Sequence, residues 1–142
     1  MTLTLDIARR LVDAALAKSI ELGLKPIAIA VLDDRGCLKA FVAQDGTSLL
    51  RGEVAHGKAY GALALGIGSR AIFKRAQEQA FFVDAVNTLA KGAIIPVPGG
   101  VLIRDDAGVL LGAVGVSGDT SDNDELCALA GIKAVALSPD AG

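Results

Sequence analysis

The chain has 142 residues, 52% of them hydrophobic but only 4% aromatic, and a formal charge of −2 from 14 basic and 16 acidic side chains. That length suits one domain with a real core and is short for two, so residues 1–142 read as a single domain. With the charges nearly balanced and no Lys/Arg block, the attraction that drives nucleic-acid binding is missing, and no run approaches the ~18 apolar residues of a membrane span.

The mean hydropathy of +0.51 is high for a small soluble monomer. A domain of this size has much surface for its volume, so the apolar excess implies burial against other subunits, in a homo-oligomer of four or more. The first ten residues, MTLTLDIARR, lack a basic segment followed by an apolar run, and the chain reads as cytoplasmic with no membrane partner. Cys37 and Cys127 form no CxxC and are expected to be buried small hydrophobes.

Along the chain, residues 4–26 carry Ile7, Leu11, Ala14, Ala15 and Ile20 at helical spacing, with Thr4 placed to cap and Gly23 and Pro26 to stop the helix. Residues 27–46 form two β-rich runs around Asp33-Asp34-Arg35-Gly36, a hairpin. The segments 48–66 and 69–92 both have helical period. Residues 101–118 repeat the hairpin plan around Asp105-Asp106-Ala107-Gly108, so D-D-x-G-x-L occurs at 33–38 and at 105–110. A last helix from 121 runs into a possible edge strand at 133–137. The order α-ββ-αα-ββ-α predicts an α+β domain, with helices packed on an antiparallel sheet of about five strands.

The helix at 48–66 is unusual because Gly52, Gly57 and Gly61 lie inside it, each costing on the order of 1 kcal/mol relative to alanine. Gly57 and Gly61 share a face, which allows close approach by another backbone, a neighbouring subunit or a flat ligand. His56, the one histidine, lies four residues from Tyr60, so their side chains meet; an imidazole there can ligate a metal or move a proton. Lys58 points elsewhere, to bind an anion or to be solvated.

In residues 99–132, Gly99 and Gly100 follow Pro96 and Pro98 and can expose backbone N–H groups, while Ser117-Gly118 turns the chain. Ser121 is placed as an N-cap with Asp124 three residues on, as in a capping box, and acids in a first turn suit the helix dipole. The pattern D-x-x-D-x-D-E is not a calcium loop. Asp124 or Glu125 can alternatively face a cleft, Glu125 as a general base.

Taken together, AQDGTSLL, AHGKAYGALALG and IPVPGGVLIRDDAGVLLGAVGVSGDTSDNDELCALAGI resemble the GlcG/HbpS family, which includes the carboxy-terminal domain of PduO proteins. The markers are Asp45-Gly46, Lys58-Ala59, Gly99-Gly100, residues 112–118 and Asp124-Glu125. The resemblance implies a profilin-like domain, often octameric, with haem as a cofactor in some relatives and a place in a catabolic pathway in others. Two functions follow. The first is a haem- or small-ligand-binding protein anchored by His56 or Tyr60, His56 being the iron ligand if haem binds. With one His and Met1 the one Met, a bis-His or His/Met site cannot form within one chain. The second is a cofactor-independent enzyme on a small carboxylate or carbonyl compound. There Arg51 or Lys58 pairs with the carboxylate, His56 or Glu125 moves a proton, and the Gly99 and Gly100 N–H groups hold an oxyanion, with Ser117, Gly118 and Asp124 lining the site.

Overall fold

The computed structural model describes all of residues 1–142 and has the expected α+β organisation. Its elements are α1 (Leu5–Glu21), β1 (Ala28–Asp33), β2 (Leu38–Ala43), α2 (Arg51–Leu65), α3 (Ser69–Glu78), α4 (Ala80–Leu89), β3 (Gly100–Arg104), β4 (Leu110–Ser117), α5 (Ser121–Ala134) and β5 (Ser138–Asp140). The five strands form one antiparallel sheet in the order β2-β1-β4-β3-β5. No helix is long and apolar enough to cross a membrane.

The two-residue period of the strands divides the core into two layers. On one face Ile29, Val31, Val101, Ile103, Val114 and Val116 pack against Leu11, Val12 and Ala15 of α1 and Cys127, Ala128 and Ile132 of α5. On the other, Ala28, Ala30, Leu32, Leu102 and Ala113 meet Ala55, Ala59 and Ala62 of α2. The small residues there let α2 lie almost on the sheet. A Cβ at Gly115 would stand 1.9 Å from the Ala55 carbonyl oxygen. The close approach expected at Gly57 and Gly61 is met within the chain: Ile94 and Ile95 occupy the space where their side chains would be.

The repeated Asp-Asp-x-Gly turns share one construction. Asp33 Oδ1 accepts the N–H groups of Arg35 and Cys37, and Asp105 Oδ1 those of Ala107 and Val109. In both turns the glycine adopts a positive φ, +83° at Gly36 and +82° at Gly108. Thr4 caps α1 as read, its hydroxyl accepting the Ile7 N–H.

Four local expectations change. The helical segment 69–92 bends at Gln79 (φ −140°, ψ 62°) into α3 and α4. A straight rod would hold Ile72 and Val83, eleven residues apart, about 16 Å from each other; the bend lets both pack with Ile94. The edge strand lies at Ser138–Asp140 instead of 133–137, because α5 runs on to Ala134 and Ala136 turns the chain with φ 58°. The cap of α5 is Thr120, whose hydroxyl accepts the Asn123 N–H, and not Ser121, which is already helical. Cys37 is exposed in its hairpin, whereas Cys127 is buried as expected. Burial, helped by the charges of Asp124 and Asp119, pushes the Cys127 thiol up to about 11.

Iodoacetamide at pH 8 should therefore alkylate one thiol per native chain, at Cys37, and both after denaturation. Peptide mass spectrometry reads the result, and rapid native labelling of Cys127 would contradict this packing.

Candidate functional site

One end of the sheet, where β4 finishes and β3 begins, gathers most of the polar residues singled out in the sequence. Lys58 enters from α2 and Asp124 from the first turn of α5, elements that cover opposite faces of the sheet. Their side chains are 2% and 1% exposed and meet with Nζ 3.0 Å from Oδ2. Lys58 also donates to the Val116 carbonyl at 2.9 Å, and Asp124 Oδ1 accepts the Asp119 N–H at 3.0 Å. Burial pushes Lys58 below the usual ammonium range and Asp124 above the usual carboxylate range, and their mutual attraction opposes both shifts. Lys58 is thus a strut, neither solvated nor free for an anion, and Asp124 is its partner instead of a member of a capping box.

Gly99 and Gly100 make room for this strut. A Cβ at Gly99 (φ +122°) would lie 2.9 Å from Lys58 Nζ, and one at Gly100 would lie 2.2 Å from the Lys58 carbonyl oxygen. The Gly100 N–H donates to Ser69 Oγ at 2.7 Å and the Gly99 carbonyl accepts from Val116. The Gly100 N–H is therefore taken and is not open to an oxyanion. Glu125 is likewise engaged: both its oxygens accept from Arg70, which also holds Asp122. As the anionic half of an ion pair, Glu125 is not poised as a free base.

At the rim of this cluster, Arg51 Nη1 donates to Ser117 Oγ at 3.2 Å. Gly118 packs on the Pro26 carbonyl, where a Cβ would come within 2.2 Å. Asp119 anchors the turn: Oδ2 accepts the Lys25 N–H, and Oδ1 accepts the Thr120 N–H and the Asn123 amide. Chiefly through the Asn123 bond, then those of Lys25 and Thr120, its carboxyl is lowered from 3.8 to about 2. Arg70, Ser69, Lys25 and Asp119 were not singled out in the sequence. Only the acid after Ser117-Gly118 carried a signal, as an extra charge in a turn.

His56 and Tyr60 stand apart from this cluster. Their rings stack with centroids 6.3 Å apart and planes 17° from parallel. His56 makes no hydrogen bond within the chain and lines a groove of about 370 Å³ with Leu50, Glu53, Val54, Gly57, Ala93 and Ile95. Tyr60 packs inward beside Ile72 and Ile94. No cluster of three or more His, Cys, Asp or Glu side chains is arranged to hold a metal ion.

The fold and its polar strut define a small α+β domain with helices on both faces of a five-stranded antiparallel sheet. Residues 3–133 match the family described as haem degrading protein HbpS-like, and the chain belongs to that HbpS-like family. Among solved structures it is similar to a PduOC–haem complex, with TM-score 0.88 and 22% identity over 97% of this chain and 98% of that one. The protein ORFY of Klebsiella pneumoniae gives TM-score 0.84 and 24% identity over 94% and 90% of the two chains. A doubly substituted HbpS of Streptomyces reticuli gives 0.79 and 24% over 94% and 86%. No curated protein sequence matches significantly.

Removing one side of the buried pair leaves the other charge uncompensated. Lys58→Met should cost about 3–5 kcal/mol in urea unfolding, and Lys58→Met with Asp124→Leu should recover part of that loss. Asp119 makes a separate contribution to the acid limb. Because its folded pKa of about 2 lies below the unfolded 3.8, its stabilisation is present above 3.8 and disappears as pH falls toward 2. Asp119→Asn should flatten that part of the stability curve, as followed by circular dichroism.

Proposed function

We propose that this chain binds haem in the groove beside His56. The observation that carries the reading is an imidazole free of internal hydrogen bonds at the edge of a largely apolar groove. The donor set fits the group: an imidazole is a common axial ligand of haem iron, and a tetrapyrrole face calls for apolar walls such as Leu50, Val54 and Ile95. Gly57, next in the chain, adds no side chain to the groove. The family description and the likeness to a protein solved with haem support the same ligand. When bound, haem supplies redox and oxygen chemistry through its iron. The chain's own contribution is to ligate through His56, hold the His56 ring against Tyr60 and exclude water along the Leu50–Val54 wall.

Assembly into four or more subunits, with an octamer as the favoured form, belongs to this reading. Leu49, Leu50, Phe81, Leu89 and Phe41 are exposed large apolar side chains, an arrangement that favours contact with other copies. Leu49 and Leu50 adjoin the groove, so a neighbouring subunit there would narrow its open side. A cytoplasmic location and a place in a catabolic pathway complete the proposal.

Haemin titration tests it. The wild-type protein should give a shifted, saturating Soret band, and His56→Ala should weaken binding at least about tenfold, since a ligand bond is removed at a half-exposed site. A His56→Ala variant that titrates like the wild type would overturn the assignment.

A further inference from the structure

A second pocket lies between the strut and the loop that leads into α2. This open depression has a volume of about 200 Å³ and is formed by Lys25, Pro26, Thr47, Ser48 and Arg51 with the glycines 46 and 118. It shares no residue with the His56 groove. Its volume is little over half that of the His56 groove, which suits a ligand of a few heavy atoms and not a tetrapyrrole.

The charges in this pocket are out of balance. Lys58, Arg70 and Arg104 are shielded to differing degrees, and each has a carboxylate within 4 Å. Arg51 is half-buried and has none. Of the five N–H donors in its guanidinium, one bond is made, to the neutral Ser117 hydroxyl. Ser117 is fully buried and donates its own hydroxyl proton to no protein group. Lys25 adds a second cation, which makes no salt bridge although its charge helps to lower the nearby Asp119 carboxyl.

The nearby acids do not fill this gap. Asp119, adjoining Gly118, is held by the Lys25 and Thr120 N–H groups and the Asn123 amide and makes no salt bridge with Arg51. Asp45 and Glu53 are exposed and do not line the pocket. A half-buried guanidinium with one hydrogen bond made and no carboxylate in salt-bridge range has most of its fork open to an anion from outside.

We propose that the Arg51 pocket binds a small oxyanion, a carboxylate or a phosphate, held by the Arg51 fork with Lys25, Thr47 and Ser48 around it. The proposal is independent of haem: the two sites lie on different faces of the same helix. Arg51 lies in the first turn of α2, whose dipole adds to the attraction for an anion.

Isothermal titration calorimetry with sodium phosphate and, separately, sodium acetate at pH 7 tests this, with sodium chloride at matched ionic strength as control. One-site, saturable heat is expected with at least one oxyanion, and phosphate against acetate tells a phosphoryl from a carboxylate ligand. Arg51→Gln should weaken binding at least about tenfold, the loss expected for a charge-assisted fork. Lys25→Gln, at an exposed position that does not threaten folding, should weaken it by a smaller factor and leave binding less salt-sensitive than in the wild type. In the haemin titration Arg51→Gln should keep its Soret response, which separates failure here from failure at His56. Equal heats from chloride, or wild-type affinity in both variants, would overturn the pocket.

Discussion

A charged pair without access to water holds the two helical layers to the sheet at one end. Lys58 and Asp124 belong to helices on opposite faces, so their contact passes the strand ends and closes the gap between layers. Taking both charges out of water costs several kcal/mol each, and that cost is offset only because the remaining hydrogen-bonding capacity is used. Val116 and Asp119 supply the extra bonds. The glycine pair Gly99-Gly100 follows from the same demand, since a side chain at either position would collide with the lysine or its backbone.

α2 then serves three environments at once. Its alanines at 55, 59 and 62 lie on the sheet, Lys58 reaches past the strand ends, and His56 with Tyr60 turns to the far side. A 3.6-residue period permits this division. The cost is a helix rich in glycine, with Gly57 and Gly61 giving up helix propensity so that Ile94 and Ile95 can cross it closely. The burial of Ile94, the packing of Ile95 and the near-contact with β4 replace what the glycines forgo. Arg51 stays at the start of the helix, where the chain enters from the loop, and is left without a carboxylate.

The α+β order and both hairpins were legible because each depends on local signals: spacing of apolar residues, a capping threonine and a repeated Asp-Asp-x-Gly. The stacking of His56 on Tyr60 was legible for the same reason, being a contact between residues four apart. The strut was not, because its two halves are 66 positions apart and a lone lysine on a helix reads as a solvated charge. Arg70 was missed likewise, since its acids lie on another helix. Gly99-Gly100 drew notice as a pair, but what they accommodate is visible only when the layers are assembled. The break at Gln79 has no glycine or proline to mark it and is set by packing on Ile94. Cys37 was misplaced because burial was inferred from residue type, whereas a hairpin end points its residues outward.

The bend at Gln79 also grades the resistance of the fold to local opening. α4 has one buried side chain, Val83, and leans chiefly on α3 and Ile94, while the inner strands β1, β3 and β4 are buried on both faces. Segments with few buried apolar contacts exchange their amide protons through partial unfolding, well below the free energy that unfolds the whole domain. α4 leads directly to Gly92, Ala93 and Ile95, which form one wall of the His56 groove. That wall is thus hung from a helix with a single buried side chain, so local opening of α4 also loosens one side of the groove.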